Sequence, residues 1–352
     1  MKINIIQSEK TICSNEHSIH KYFGWPSVAR LQDGSLAMVA SGFRLSHICP
    51  FGKVVMCRSY DEGESWSAPE ILIDTPLDDR DGGICPFGED GVVVTSFNNH
   101  PEFQRKHQGD SLYRKAYLDE VEKREFEKYL GSTIVISRDG GKTFGDVMTV
   151  PVSSPHGPCT LSDGTVLYVG RTFDAYNMPS RLECHVLMPD GKTQLRSVIE
   201  EPIPTLTWCE PHAIQLPDGK IIVHIRVQGQ NGKYFTIYQS VSTDMGYTFS
   251  TPIRLLSDHG GAPAHLLQHS SGILVSVYGY RDAPFGLRAM FSRNAGENWD
   301  TDNVIIDNES SGDLGYPCSV ELADGNILTV YYGHENGSKH TVIRQIVWNF
   351  ED

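Results

Sequence analysis

Ser137-Arg138-Asp139-Gly140-Gly141-Lys142-Thr143-Phe144 follows the β-rich run Thr133 to Ile136 and reads as the turn that closes a hairpin. In such a turn an Asp carboxylate can accept from backbone amides and Gly supplies a positive φ. The final aromatic anchors the turn to the layer beneath. The pattern returns as Ser59-Tyr60-Asp61-Glu62-Gly63-Glu64-Ser65-Trp66 and as Ser242-Thr243-Asp244-Met245-Gly246-Tyr247-Thr248-Phe249. A fourth copy, Ser292-Arg293-Asn294-Ala295-Gly296-Glu297-Asn298-Trp299, carries Asn in place of Asp. Four copies mark an internal repeat, and the repeat governs every other reading of the chain.

A second repeat runs out of phase with the first. A small residue or Cys and a Pro precede an apolar strand, an Asp-Gly or equivalent turn, and another apolar strand. The turns are Asp33-Gly34, Asp90-Gly91, Asp163-Gly164, Asp218-Gly219, Ser271-Gly272 and Asp324-Gly325. Asp-Gly between β-branched runs is a strong hairpin signal. Each hairpin is followed by a second one. Four of these carry the Asp turn, and the turn is degenerate near Leu187-Met188-Pro189-Asp190-Gly191-Lys192. Six such units predict an all-β, six-bladed β-propeller of four-stranded antiparallel blades, forming a single domain over residues 1–352. The N-terminal strand Lys2 to Ile6 is expected to join the last blade. One charged segment, Ser111 to Leu130, breaks the pattern in the middle loop of the second blade. It reads as a helical insertion with Tyr113, Tyr117, Val121 and Phe126 toward one side.

The formal charge of −14 argues against a general nucleic-acid or anionic-membrane binder, but leaves room for a local arginine cluster. No segment is apolar enough to span a bilayer, and Met1 to Gln7 lacks the hydrophobic run of a signal peptide. The chain as it stands is therefore expected in the cytoplasm, although a processed secreted or periplasmic form would read the same. Eight scattered cysteines without a C-x-x-C pair read as reduced thiols. Asn308-Glu309-Ser310 and Asn336-Gly337-Ser338 match the glycosylation pattern, which arises often by chance. The histidines carry no metal-site spacing, and no cofactor is expected.

In a propeller, the loops entering the innermost strands and the loops between the middle strands open on one face. The Asp turns lie on the other and are structural. Polar residues concentrate in the first set: Arg80 and Asp81, His156, Glu210 and His212, His265, and Tyr316 at strand entries, with His47 in a middle loop. Arg44, Arg171, Arg226 and Arg281 each follow the second strand of a blade. Arginine makes bidentate contacts with planar anions. Each arginine could equally pair with a nearby acid such as Asp174 or Asp282, and each histidine could be packed and neutral.

With these motifs the chain resembles the sialidase superfamily, whose Asp-box repeats span nearly the whole sequence. Trp208-Cys209-Glu210-Pro211 followed by Arg226 looks like the fourth-blade motif of that superfamily. There the Glu partners a nucleophilic tyrosine, and the Arg grips the substrate carboxylate. Gly315-Tyr316-Pro317 is similar in placement to the tyrosine, Arg281 to another triad arginine, and Arg44 to the first-blade arginine. Two elements depart from the pattern. Gly24-Trp25-Pro26 stands where Arg-Ile-Pro would carry the first triad arginine. The loop Leu45 to Pro50 has no acid/base Asp, and His47 is its nearest substitute.

The resemblance implies an exo-glycosidase acting on a terminal, acidic sugar, with Tyr316 and Glu210 as the nucleophilic pair. Arg44, Arg80, Arg171, Arg226, Arg281, His156, His212 and His265 would bind substrate, and His47 or Asp81 would be the acid/base. Arg44, Arg226 and Arg281 are expected to converge on one anion. A uronic-acid lyase and a non-catalytic glycan-binding propeller are the alternatives. The expected partner is a carbohydrate; the oligomeric state is not legible.

Overall fold

The computed structural model describes residues 1–107, 111–172, 180–229, 234–257, 260–335 and 338–351. Asp174, and Asn336 with Gly337 of one glycosylation pattern, lie outside them. Six antiparallel sheets follow one another along the chain as the blades of a propeller. Blade 1 holds Tyr22–Arg30, Leu36–Arg44, Lys53–Ser59 and Glu70–Ile73; blade 2 holds Arg80–Phe87, Gly91–Phe97, Ser132–Ser137 and Met148–Val150. In blade 3 the inner strand is split into Val152–Ser153 and Cys159–Thr160, followed by Val166–Thr172, Leu182–Leu187 and Thr193–Val198. Blade 4 holds Thr207–Gln215, Ile221–Gln228, Phe235–Ser242 and Ile253–Arg254; blade 5 holds Gly261–Gln268, Leu274–Tyr280, Phe285–Ser292 and Asp300–Glu309. Blade 6 holds Gly315–Glu321, Ile327–His334 and Thr341–Glu351. Its outer strand is Lys2–Cys13, which pairs with Thr341–Glu351 and closes the ring.

The core is distributed between blades. In Leu36–Arg44, alternation sends Leu36, Met38 and Ala40 against blade 6, and Ala37 and Val39 against blade 2. Both faces of the strand are buried, so the sequence reads as one apolar run. Corresponding clusters fill the remaining interfaces around the ring.

Each of the four Asp turns locks its blade to the one before it. Ser59 Oγ donates to Asp61 Oδ1 (2.8 Å) and accepts from Gly63 N (2.8 Å). Asp61 also accepts from the amide and the hydroxyl of Ser65 (2.9 and 2.6 Å). The bonds from Ser65 hold the Asp61 carboxyl below its ordinary range. Trp66 then donates from Nε1 to Gln345 Oε1 of blade 6 (2.7 Å), and Trp299 to Gln239 Oε1 of blade 4 (2.9 Å). Asn294 retains the backbone half of the motif by accepting from Asn298 N (3.0 Å).

Around the axis, histidines do similar work. His212 Nδ1 accepts from Leu266 N of blade 5 (2.9 Å), and His265 Nδ1 from Ser319 N of blade 6 (3.3 Å). His156 Nδ1 lies 3.1 Å from Ser27 Oγ of blade 1, whose hydroxyl donates to Pro155 O (2.9 Å). The His212 and His265 rings stack with centroids 4.3 Å apart. Burial holds all three well below the usual imidazole range, so they are neutral.

The insertion in blade 2 differs from the single expected helix. Helices span Pro101–His107 and Leu112–Val121, and a single 3-10 turn spans Glu127–Tyr129. Ser111 caps the second helix by accepting from Arg114 N, and after Val121 the chain folds back to bury Phe126 beside Val121 and Leu77. No helix among the described residues is long and apolar enough to cross a membrane, and all eight cysteines are free.

Two stability predictions arise from this architecture. Gly63 has φ of 88°, and a Cβ there would lie 2.3 Å from Leu328 Cδ1 in a closed core. Gly63→Ala should lose roughly 2–4 kcal/mol in urea denaturation. Gly34→Ala, with φ of 86° and nothing within 4 Å, should lose only about 1 kcal/mol; equal losses would mean the turn does not lock blade to blade. The second concerns pH. A histidine held below its unfolded value of about 6.5 contributes stability above that pH, and the contribution is lost as pH falls. Asp79 and Asp81, both pushed up to about 7 by burial, act with the opposite sign, so the test is a difference between proteins. His212→Asn can retain the acceptor for Leu266 N without titrating. Between pH 7.5 and 5.5 it should change stability by about 1 kcal/mol less in the acid direction than wild type does. Identical pH dependences would show that His212 charges freely in the folded state.

Candidate active site at the channel mouth

Five of the six inner strands enter their blades through a bulge. The strand register slips between Gly24 and Ser27, Arg80 and Gly83, Cys209 and His212, Gly261 and Ala264, and Gly315 and Cys318. At four of these slips a non-glycine residue holds a left-handed backbone: Trp25 (φ 54°), Asp81 (50°), Glu210 (49°) and Tyr316 (48°). Such positions cost of order 1–3 kcal/mol each and cluster at functional sites. Here the same device, repeated around a ring, brings residues distant in sequence together.

Tyr316 donates its hydroxyl to Glu210 Oε1 (2.7 Å). Arg226 Nη1 donates to Glu210 Oε2 (2.6 Å) and to the Tyr316 oxygen (3.1 Å). Gln228 Oε1 fixes the same guanidinium through Nη2 (2.6 Å) and Nε (3.1 Å), and Phe235 lies against it, 4.7 Å from ring centroid to guanidinium carbon. Burial raises the Tyr316 phenol well above its usual range. The Glu210 charge adds to this and Arg226 opposes it. The phenol is therefore neutral and stands beside a carboxylate able to take its proton. Arg281 completes this side. Its guanidinium carbon is 5.5 Å from the Tyr316 ring, its Nε donates to Leu314 O (3.2 Å) and its Nη2 to Tyr332 OH (3.3 Å).

Across the Trp25 ring lies a second cluster. His47 stands perpendicular to Trp25 with ring centroids 4.9 Å apart, and its Nδ1 lies 3.1 Å from Asp313 Oδ1. Asp313 also accepts from Tyr22 OH (3.0 Å) and Tyr332 OH (3.1 Å). Burial works to raise the Asp313 carboxyl, yet the bond and charge of His47 and the tyrosine hydroxyls outweigh it and hold the group at about 2. Asp81 completes the mouth. Burial pushes its carboxyl up to about 7 against the pull of Arg80, and Glu210 adds to the rise. Its Oδ1 is buried without a hydrogen-bond partner.

The arginines divide in a way the sequence pattern does not reveal. Arg226 and Arg281 share the mouth, and both lie near Phe235. Arg44 does not join them, so three arginines do not converge on one anion. Its side chain is fully buried, ion-paired with Asp78 Oδ1 (2.6 Å) and bonded to Ser41 Oγ (2.9 Å) and His47 O (2.9 Å). A buried guanidinium needs a buried carboxylate, and Asp78 supplies it. Arg80 lies 4.2 Å over the Trp25 ring and donates to His47 O (3.2 Å). Arg171 bonds Trp208 O and Ser180 Oγ (2.8 Å) and pairs with Glu201 (3.5 Å), cementing blade 3 to blade 4. His156, His212 and His265 are the axial histidines, engaged between blades through Nδ1. Among the described residues no cluster of His, Cys, Asp or Glu could hold a metal ion.

Sequence reasoning missed Asp313, Tyr22 and Tyr332. Asp313 and Tyr22 precede the strand entries Gly315-Tyr316 and Gly24-Trp25 by two residues, so a wider window at each entry would have included them.

Among solved structures, a protein of unknown function from Dyadobacter fermentans DSM 18053 superposes with a TM-score of 0.77 at 18% identity, covering 99% of each chain. The intramolecular trans-sialidase of Ruminococcus gnavus, in complex with oseltamivir carboxylate, gives 0.65 at 14% identity over 96% of this chain and 97% of that one. Trypanosoma rangeli sialidase gives 0.62 at 14% identity over 99% of this chain and 58% of the other. At these identities the likeness is one of fold. No curated protein matches the sequence at a significant level. The family model described as a BNR repeat-like domain matches residues 121–329, more than half of the chain. On that match, and with a six-bladed propeller whose structural neighbours include sialidases, the chain belongs to the BNR repeat-like family.

Proposed function

We propose that the protein is a glycoside hydrolase that removes a terminal, acidic sugar through Tyr316 and Glu210. The observation that carries this reading is the Tyr316 to Glu210 hydrogen bond of 2.7 Å, with Arg226 bonded to both partners. A phenol is a weak nucleophile until a base removes its proton, and Glu210 is placed to do so. As the Tyr316 oxygen bonds to the anomeric carbon, its proton passes to Glu210 and the glycosidic C–O bond breaks. The leaving oxygen takes a proton from an acid at the mouth. A neutral phenol also avoids the repulsion that a carboxylate nucleophile would meet from an anionic sugar. Arg226 and Arg281 supply positive charge beside the pair. The carboxylate ligand bound by the Ruminococcus gnavus neighbour agrees with an anionic substrate. A purely glycan-binding propeller would have no use for a buried phenol bonded to a carboxylate within strained backbone.

The test is release of nitrophenol from glycosides of neutral sugars, uronic acids and sialic acid. Wild type should favour the acidic members. Tyr316→Phe preserves the packing against Trp25 and Tyr332, so the fold should stay intact while kcat falls by about a thousandfold or more. Wild-type turnover by Tyr316→Phe would remove the nucleophile assignment. An unsaturated, ultraviolet-absorbing product would replace hydrolysis with elimination.

A further inference from the structure

The loop that follows Arg44 is held with unusual thoroughness for an exposed connection. Arg44 Nη2 and Arg80 Nη1 both donate to His47 O (2.9 and 3.2 Å). Arg114, on the helix Leu112–Val121, donates to Ser46 Oγ (2.7 Å) and Ile48 O (3.3 Å). The amide of Cys49 donates to Asp78 Oδ2 (3.3 Å). Three guanidiniums, drawn from blade 1, blade 2 and the insertion, thus fix Ser46, His47 and Ile48, and Asp78 fixes Cys49. What that loop presents is His47, whose side chain is 45% exposed at the rim.

The imidazole is oriented as firmly as its backbone. His47 Nδ1 lies 3.1 Å from Asp313 Oδ1 and 3.0 Å from Tyr22 OH. Asp313 is ionised and can only accept, and the one Tyr22 hydroxyl hydrogen is given to Asp313 Oδ2 (3.0 Å), so Nδ1 carries the hydrogen between them. The donors Tyr22 and Tyr332 fill the other acceptor positions of Asp313, and Trp25 packs against the ring. Nε2 remains as the nitrogen able to gain and lose a proton.

We infer that His47 and Asp313 form the proton-transfer unit of this site, with His47 the group that exchanges a proton at Nε2 and Asp313 the positioning residue that fixes its tautomer. The inference rests on the reading of Tyr316 and Glu210 as the reacting pair. In the first half of the reaction, protonated His47 gives its Nε2 proton to the leaving alcohol oxygen as the bond from that oxygen to the sugar breaks. In the second half, Nε2 takes a proton from water while the hydroxide bonds to the anomeric carbon. The Tyr316 oxygen then departs and recovers its proton from Glu210. Asp81 is less suited to the first role. It is 5% exposed, whereas the His47 side chain is 45% exposed at the rim, past which the leaving group of a terminal sugar extends. Burial lowers His47 from its usual value, Asp313 opposes this, and Arg80 and Arg44 add to the lowering. The acid form is thus populated only on the acid side of about 6.5, and turnover that needs it falls as pH rises.

The decisive measurement needs no substrate. Long-range proton–nitrogen NMR of the whole chain reports the tautomer and titration of each imidazole, with His47 assigned by loss of its signals in His47→Gln. Wild type should carry the Nδ1–H tautomer when neutral; an Nε2–H tautomer overturns the inference. Asp313→Asn, which keeps the shape of the side chain, should lower the His47 pKa by about one unit or more and abolish the tautomer preference. An unchanged titration overturns Asp313 as the positioning residue. With an acidic-sugar glycoside, His47→Gln should lose about 10²–10⁴-fold on an alkyl leaving group and little on dinitrophenol, which leaves without a proton. Equal losses on both, or none, overturn the acid role while leaving the nucleophile untouched. An active Tyr316→Phe fails the parent reading separately.

Discussion

The site exists because four inner strands enter their blades with a residue forced into the left-handed region. At these bulges Glu210 reaches Tyr316 and Arg226, while the rings of Trp25 and Tyr316 cap the apolar cluster between blades 1 and 6. Strain of order 1–3 kcal/mol per position persists only when the surroundings fix the backbone on both sides. They do so here. Below the bulges, His212 and His265 take amides from the next blade, and Ser27 and Ser154 donate to the carbonyls of Pro155 and Pro211. Farther out, the four Asp turns fasten their blades to the preceding ones. The rigid ring allows the mouth to be strained.

A second constraint is the accounting of buried charge. A guanidinium at the end of the second strand can face the mouth or the neighbouring blade, and the acid it finds determines which. Arg44 finds Asp78 and disappears into the core. Arg226 finds Glu210, which itself sits on a bulge, and so remains at the mouth with its side chain 12% exposed. Two arginines near the ends of second strands thus differ in kind, one structural and one a candidate functional residue.

This explains how much the sequence disclosed. The repeated Asp turns and Asp-Gly hairpins are local chemistry, and they specified blade number, strand order and closure by the N-terminal strand. Glu210 and Tyr316 were legible because both stand at strand entries, and strand entries converge in any propeller. The partition of the arginines was not legible, since it depends on Asp78, a residue of the next blade. Asp313 was hidden because its three donors come from blades 1 and 6, at opposite ends of the chain. The insertion was read as one helix because its apolar spacing continues through Phe126. The chain instead breaks after Val121, and burial of Phe126 against Leu77 outweighs continued helical bonding.

The two carboxyls at the mouth differ in the hydrogen bonds that offset their burial. Asp81 and Glu210 face the same cations, and ionising both would place two negative charges in one enclosed space. Asp81 has an oxygen without a partner, whereas Glu210 accepts from Arg226 and Tyr316. Hydrogen bonds favour a charged carboxylate, and burial without them favours a neutral one. Asp81, pushed up to about 7, therefore holds its proton in mildly acidic solution. A neutral Asp81 leaves the positive field of Arg226 to the pair it touches. On the reading proposed above, that field is what makes the Tyr316 oxygen bearable as an anion once Glu210 has taken its proton.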